Sequence, residues 1–207
     1  MAVAFPFVAD SLVDAALLVM DVQRGVVDRY AGDGTLLDHL RRAVDAARSV
    51  GLPVVFVRVA FRPGHPEVSS RNRTFARIAT GEQGAFGEGD EATQLHPALD
   101  PRPEEPVVVK KRVSAFAGSD LEVLLRSLRV THLVLTGIAT SGVVLSTLRE
   151  AADRDYQLTV LHDACADADA EVHRVLTEKV FPRQAEVLSV AEWTSHMASR
   201  AAGGNAG

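Results

Sequence analysis

The chain alternates between short apolar runs and segments with helical spacing, and this alternation constrains its fold more than any other feature of the sequence. Six runs have the length of a β-strand, and most of them are almost continuously apolar. They are predicted as strands over residues 15–20, 54–61, 106–110, 133–135, 157–161 and 185–190. Strands that are apolar on both faces are typical of a parallel sheet that is covered on both sides.

Segments with helical spacing of apolar residues fill the intervals between these runs. Helices are predicted over residues 36–50, 73–80, 120–128, about 140–150, 170–181 and 191–200. This order predicts an α/β fold of the Rossmann-like type, in which a doubly wound, mostly parallel six-stranded sheet lies between two helical layers. Residues 14–200 are expected to form this single domain, between an N-terminal arm at 1–13 and a flexible tail at 201–207.

The composition is that of a globular protein with a small-molecule or protein partner. The chain has 207 residues, of which 47% are hydrophobic and 24% charged, and its formal net charge of −5 gives no basic footprint for nucleic acid. No apolar run reaches the roughly 18 residues that a membrane span needs, and the N-terminus lacks the features of a signal peptide. We therefore expect a soluble, cytoplasmic protein with no nucleic-acid or membrane partner. The single cysteine, Cys165, excludes internal disulfides and cysteine clusters for metals.

Residues 131–150 combine a buried strand, a sharp turn and the start of a helix. Gly137 ends the apolar run, and the residues at 139–142 are all small. Thr140 and Ser141 are interpreted as helix caps, because no histidine is placed in the sequence to activate either hydroxyl. A strand that enters such a turn directs backbone N–H groups at one point, where they can bind an anion or a developing oxyanion. An ordinary strand-to-helix connection would give the same pattern.

Two ionisable side chains are expected at the same edge of the sheet as this turn. Asp21 follows the first predicted strand, and Lys110 ends the third. In open α/β sheets, ligands bind beyond the carboxyl ends of the strands, near the point where strand order reverses. An acid facing an oxyanion site is a hydrolase-like arrangement, and a structural ion pair is the alternative. A nearby lysine would lower the pKa of Asp21, whereas burial would raise it.

Residues 62–106 form a long segment of irregular composition, rich in Gly, Pro and Glu. Such segments within compact domains often act as functional loops or lids, and a solvated excursion is the alternative. Arg62, Arg71, Asn72 and Phe75 are candidates for contacting a carboxylate-bearing substrate from this loop. Exposed arginines with no role in binding would look the same in the sequence.

Three stretches of the chain carry a resemblance to a known family: ALLVMDVQRG, VVVKKRVSAFAGSDL and LVLTGIATSGVVLSTLREAADRDYQLTVLHDACAD. In order and spacing they resemble the isochorismatase-like hydrolases, of the cysteine hydrolase superfamily. The resemblance extends from about residue 15 to residue 190 and is weakest over 62–89. It implies the isochorismatase-like form of the α/β fold. Because relatives are commonly oligomeric, it also implies a homodimer or a larger homo-oligomer.

The resemblance assigns roles to single residues. Asp21 matches the acid/base of the family, and Gln23 matches a glutamine that lines the site. Lys110 matches the catalytic lysine better than Lys111 does, because the family lysine lies six residues before the phenylalanine of SAF, here Phe116. Phe116 is itself included among the expected substrate contacts.

The resemblance also assigns a geometry to the turn after the fourth strand. A cis peptide bond that does not involve proline is implied between Ile138 and Ala139. The backbone N–H groups of Ala139 and Val143 would then form the oxyanion hole, with Gly142 in the same turn.

Val143 departs from the family pattern. In the amidase branch this position holds the nucleophilic cysteine, and valine cannot attack a carbonyl group. The Asp-x-His element of the metal site of that branch is also missing from residues 54–66, so no metal or other cofactor is expected. Cys165 follows the next strand and is an alternative nucleophile.

Family members that hydrolyse the vinyl ether of isochorismate also lack this cysteine. In the reaction that the resemblance implies, Asp21 protonates the enol carbon, water adds, and the hemiketal collapses to pyruvate and a diol. Those enzymes carry glycine at the position of Val143. The larger valine is expected to narrow the substrate pocket of this chain. The leading expectation is a cysteine-independent hydrolase of a small molecule. The alternatives are a catalytically silent binding or regulatory protein and an amidase that uses Cys165.

Overall fold

A six-stranded, entirely parallel sheet forms the centre of the protein, in a computed structural model that describes residues 14–30, 34–79 and 86–203. The strands lie in the order β3-β2-β1-β4-β5-β6. Helices cover both faces, which confirms the predicted three-layer, doubly wound α/β fold. The predicted N-terminal arm and the last four residues of the predicted tail lie outside the described residues.

All six strands are close to the predicted apolar runs. They are β1 (Ala15–Met20), β2 (Val54–Val59), β3 (Val107–Lys110), β4 (His132–Ile138), β5 (Gln157–Ala166) and β6 (Glu186–Leu188). β5 is longer than predicted because it continues past a register shift against β4 into a polar stretch that includes His162 and Asp163.

The helical layers contain seven α-helices within the described residues. They are α1 (Arg24–Tyr30), α2 (Thr35–Ser49), α3 (Arg73–Ala79), α4 (Leu121–Ser127), α5 (Leu145–Ala152), α6 (Ala170–Val175) and α7 (Val190–Gly203). α1 was not predicted, because its seven residues bury only Val27 and show no apolar period. The helix predicted over 170–181 is instead α6, followed by a wide helical turn at Leu176–Val180 and a tight one at Phe181–Arg183. No helix within the described ranges is long and apolar enough to cross a membrane.

The core forms on both faces of the sheet because successive side chains of a strand point to opposite sides. Leu17 and Val19 of β1 join one apolar cluster with residues of α2 and α7, whereas Leu18 and Met20 join a second cluster with residues of α4 and α5. β1 is completely buried, so both layers depend on it.

Strand order reverses between β1 and β4, where the two strands approach very closely. Met20 pairs with Gly137, whose φ of 132° is in a region that favours glycine. A Cβ atom on Gly137 would lie 2.0 Å from the carbonyl oxygen of Met20. Glycine is therefore required for β1 and β4 to pair up to the edge at which Asp21 begins.

Gly137→Ala is expected to destabilise the protein by at least about 4 kcal/mol, because the methyl group would collide with the backbone of Met20. Gly51→Ala is a matched control, since Gly51 also has a positive φ, of 72°, but has no atom within 4 Å of an added Cβ. The control should lose only about 1–2 kcal/mol. Urea unfolding of both variants measures the difference, and equal losses would contradict a tight contact between β1 and β4.

Candidate active site

The carboxylate of Asp21 and the ammonium group of Lys110 form a buried ion pair at the carboxyl edge of the sheet. Asp21 directly follows β1 and has a left-handed backbone, with φ of 54°, which turns the chain away from the strand. Lys110 ends β3, and its Nζ lies 2.8 Å from Oδ2 of Asp21. The same Nζ donates to the carbonyl oxygens of Arg112, at 2.9 Å, and Val113, at 3.0 Å. Three acceptors therefore surround the three ammonium protons.

The second carboxylate oxygen of Asp21, Oδ1, is buried and has no hydrogen-bond partner among the described residues. Burial raises the pKa of the Asp21 carboxyl above its ordinary value, and the nearby Lys110 offsets part of that rise. An acid with a raised pKa and one unpartnered oxygen can hold a proton and transfer it to a bound molecule.

The turn that follows β4 lies opposite this pair. A cis peptide bond joins Ile138 to Ala139, at the position that the family resemblance implies. The N–H groups of Gly142 and Val144 both donate to the carbonyl oxygen of Ala139, at 3.0 and 3.3 Å. These bonds form a wide helical turn, which brings the backbone of residues 138–143 to the edge of the sheet beside Asp21.

The interpretation of Thr140 and Ser141 as helix caps is wrong. The residues at the cap positions are instead Ala139 for this turn and Val144 for the helix α5 that follows it, and neither makes a side-chain cap hydrogen bond. The hydroxyl of Thr140 is instead 2.8 Å from Nδ1 of His173, a residue 33 positions later in the chain. A histidine is therefore paired with this hydroxyl, a contact that no sequence pattern indicated.

Asp21, Lys110 and the turn line one cleft of about 210 Å³. From the turn, Ile138, Ala139, Gly142 and Val143 contribute to it. The other walls are largely apolar, and they come from α1, α3, the end of β2, the segment before residue 91 and the segment after β3: Val26, Tyr30, Val59, Phe75, Phe86 and Val113. A cleft with apolar walls and a few convergent polar groups is typical of a small-molecule site.

Arg29 and Tyr30 of α1 also line the cleft, and neither was predicted. The signal in the sequence was their position shortly after Asp21, since the segment that follows the first strand of a doubly wound sheet borders the crevice. Arg29 is exposed in the last turn of the helix, so it adds a positively charged residue to the wall of the cleft.

Of the five residues expected to contact substrate in addition to Phe75, none lines the cleft. Gln23 is completely buried, and its amide donates to the carbonyl oxygens of Val59 and Thr93 while accepting the N–H of Val59 at 3.0 Å. The side chain thus ties β2 to the segment around Thr93. Because its amide is used in these backbone contacts, Gln23 supports the site from behind.

The other four of these residues lie elsewhere. Arg62 pairs with Glu67 at 2.7 Å on the surface, and Arg71 is exposed. The side-chain oxygen of Asn72 accepts the N–H of Phe75 and so supports the start of α3. Phe116 belongs to the core cluster of α4 and α5, where the guanidinium of Arg154 lies 4.8 Å from its ring centroid.

Cys165 does not reach the cleft. It pairs with Gly137 across β4 and β5, and its side chain is buried in the core cluster of α4 and α5. Burial raises the pKa of the Cys165 thiol to about 12, so the reactive thiolate is scarce near neutral pH. The geometry therefore argues against Cys165 as a nucleophile for this site.

Lys110→Met is expected to destabilise the protein by about 3–5 kcal/mol when Asp21 is ionised, because the variant leaves a buried carboxylate without its partner. Burial already holds the pKa of Asp21 above its ordinary value in the folded protein, and loss of Lys110 would raise that pKa further. A folded state with the higher pKa binds more protons, so stability must fall as pH rises through this window. Urea unfolding at several pH values measures the effect. The double variant Asp21→Asn, Lys110→Met should recover most of the loss, and a loss that does not change with pH would contradict the prediction.

The chain is similar to known proteins over most of its length. Residues 15–192 match the Isochorismatase domain family. A ureidoacrylate amidohydrolase, RutB, from Methylobacterium radiotolerans is 35% identical over 179 residues, covering 76% of this chain and 69% of the relative. The uncharacterized isochorismatase family protein YecD from Escherichia coli O157:H7 is 32% identical over 184 residues, with 86% of this chain and 93% of the relative covered.

Solved structures show the same fold. An isochorismatase family protein from Burkholderia thailandensis superimposes with a TM-score of 0.78 at 29% identity, over 90% of this chain and 96% of the other. A cysteine hydrolase from Pseudomonas syringae pv. phaseolicola gives a TM-score of 0.83 at 21% identity, over 90% and 93% of the two chains. The family match, the relatives and the fold together establish that this chain belongs to the isochorismatase family of hydrolases.

Proposed function

We propose that this hydrolase acts on a small, carboxylate-bearing molecule without a cysteine nucleophile, with Asp21 as its general acid and base. The reaction that fits best is hydrolysis of a vinyl ether with release of pyruvate. The observation that carries the proposal is the state of the Asp21 carboxyl: Oδ2 is held by Lys110, Oδ1 has no partner within the described residues, and burial raises its pKa.

Each atom in this reaction has an assigned source. Protonated Asp21 donates its proton to the terminal enol carbon, which becomes a methyl group, and an oxocarbenium ion forms. Water then adds to that ion while the Asp21 carboxylate accepts the proton that the water releases. The resulting hemiketal breaks its C–O bond as the proton of its hydroxyl group passes to the departing oxygen, giving a ketone, which is pyruvate, and an alcohol. One water is consumed and Asp21 returns to its initial state.

The absence of a thiol in the cleft favours this reaction over a thioester mechanism. Val143 lines the cleft at the position where the amidase branch of the family holds its cysteine, and it is almost completely buried. Cys165 lies in the core instead. Addition of water to an oxocarbenium ion needs no covalent intermediate, so a valine at this position does not prevent it.

Two cations and the turn suit a carboxylate-bearing substrate. Arg29 lies at the cleft wall and Lys110 at its base, so a substrate carboxylate would meet positive charge at either end. The N–H groups of Ala139 and Val143 are the proposed donors to an oxygen that gains negative charge during the reaction.

Hydrolysis of an amide is a second candidate, because several relatives are named ureidoacrylate amidohydrolases. In this chain the water itself, activated by Asp21, would have to attack the carbonyl carbon. Measuring the consumption of ureidoacrylate and the release of pyruvate from isochorismate and simpler enol ethers distinguishes the two reactions. A compound that raises the melting temperature but is never consumed would instead indicate a silent binding protein.

Asp21→Asn is expected to lower kcat on the enol ether substrate by at least about 10²-fold, because asparagine has the same shape but cannot donate or accept the proton. Asp28→Asn on the exposed side of α1 is the matched control and should leave the rate unchanged. Initial rates of pyruvate formation measure both. Turnover by Asp21→Asn at the wild-type rate would show that Asp21 is not the acid.

Arg29→Ala is expected to raise KM about tenfold with little change in kcat, because it removes a binding contact that is present in both the bound substrate and the transition state. Arg62→Ala should change neither constant, since Arg62 pairs with Glu67 on the surface. Steady-state kinetics with a carboxylate-bearing enol ether and with its methyl ester test the charge directly. The KM of the acid should rise in the Arg29→Ala variant and that of the ester should hardly change. If the ester loses as much as the acid does, Arg29 is not the carboxylate contact.

A further inference from the structure

The outer side of the turn after β4 is held by the segment that follows β5. Thr140 is completely buried, and its hydroxyl is 2.8 Å from Nδ1 of His173 in α6. The N–H of the next residue, Ser141, donates at 2.7 Å to Oδ2 of Asp167, which directly follows β5. Two adjacent residues in the middle of the turn are thus fixed from outside the cleft.

His173 is itself held firmly in place. Asp169 caps the start of α6, where its carboxylate accepts the N–H groups of Glu171 and Val172 at 2.8 and 3.2 Å. The carbonyl oxygen of His173 accepts the hydroxyl of Thr177 at 2.9 Å. Because these bonds hold the backbone of His173 in place, its contact with Thr140 restrains the turn.

We propose that His173 is a positioning residue, whose hydrogen bond to Thr140 keeps the turn in the conformation that directs the N–H groups of Ala139 and Val143 at the cleft. The bond also makes that conformation depend on the protonation of His173. The catalytic consequence rests on the function proposed above, but the effect on the turn does not.

The dependence on protonation follows from hydrogen-bond chemistry. In the Nε2–H tautomer that the proposal assigns to the neutral ring, Nδ1 of His173 has no proton and accepts the hydroxyl proton of Thr140, whereas in the protonated imidazole both ring nitrogens can only donate. Protonation therefore reverses the bond, and the hydroxyl proton of Thr140 must turn toward another acceptor in a fully buried environment. Partial burial and the neighbouring His162 of β5 lower the pKa of His173, while Asp167 in the following loop opposes them. The imidazole of His173 is therefore mostly neutral near neutral pH, and its hydrogen bond to Thr140 is kept.

The pair also has the composition of a nucleophile and its general base. However, Thr140 is completely buried, and it is absent from the part of the cleft wall formed by the described residues. The positioning role and the nucleophile role predict different results for His173→Asn. The side-chain oxygen of asparagine can accept the Thr140 hydroxyl near the place of Nδ1, but it cannot act as a base.

Two-dimensional NMR of the ¹⁵N-labelled full chain between about pH 5 and 8 tests the effect on the turn without any substrate. The amide signals of Ala139, Gly142 and Val143 should move with the same midpoint as the His173 ring. In His173→Asn they should stay near their neutral wild-type positions and lose that midpoint. His196→Asn, at an exposed residue of α7, is the control and should keep the wild-type titration. Turn signals that do not follow His173 would overturn the proposal.

Removal of the bond itself gives the complementary result. His173→Ala and Thr140→Val should both displace the signals of the turn at every pH, while Thr140→Ser, which keeps the hydroxyl, should not. On the enol ether substrate, His173→Ala should lower kcat by about 10- to 100-fold with little change in KM, and His173→Asn should retain most of the wild-type rate. Equal loss of activity in both His173 variants, with an undisturbed turn, would overturn the positioning role in favour of a general base. If no substrate is consumed by the wild type, the proposed function fails, and the NMR result decides the positioning role alone.

Discussion

The buried ion pair between Asp21 and Lys110 joins the ends of β1 and β3 across the intervening β2. Removing two charges from water costs several kcal/mol for each ion, and their attraction repays this only when further hydrogen bonds complete the geometry. Here the ammonium group is fully satisfied, whereas the carboxylate is not, because Oδ1 has no partner among the described residues. An apolar pair of similar size would serve the fold as well. The incomplete pairing is better explained by chemistry than by stability.

The sheet brings the remaining parts of the site to this pair. Gly137 allows β1 and β4 to pair to their ends, so that the turn after β4 begins beside Asp21. Gln23 fixes β2 to the segment around Thr93 behind the cleft. Gly137 and Gln23 contact no substrate in the proposed reaction. They nevertheless help to position the groups that would contact it. The geometry of the cleft thus depends on contacts that are buried behind it.

The sequence predicted those parts of the site that topology alone determines. Asp21 and Lys110 end apolar strands, and parallel strands bring their carboxyl ends to one edge whatever the intervening loops do. The contact between Thr140 and His173 depends instead on the path of the chain between β5 and α6, which no periodicity encodes. The expectation that Gln23 and the arginines of the long loop contact substrate differs from the structure for a related reason. A residue type near the site indicates neither which way its side chain points nor which backbone groups compete for it.

The opposing influences on Asp21 also indicate how a substrate would change them. Lys110 favours the carboxylate and burial favours the acid, with burial the larger influence. In the proposed reaction, a substrate carboxylate that approaches Lys110 shares its positive charge and adds a negative charge near Asp21. Both effects raise the pKa of Asp21 further, because a like charge nearby disfavours ionisation. The substrate would therefore help to keep its own proton donor protonated, and a neutral analogue of the same shape would lack this assistance.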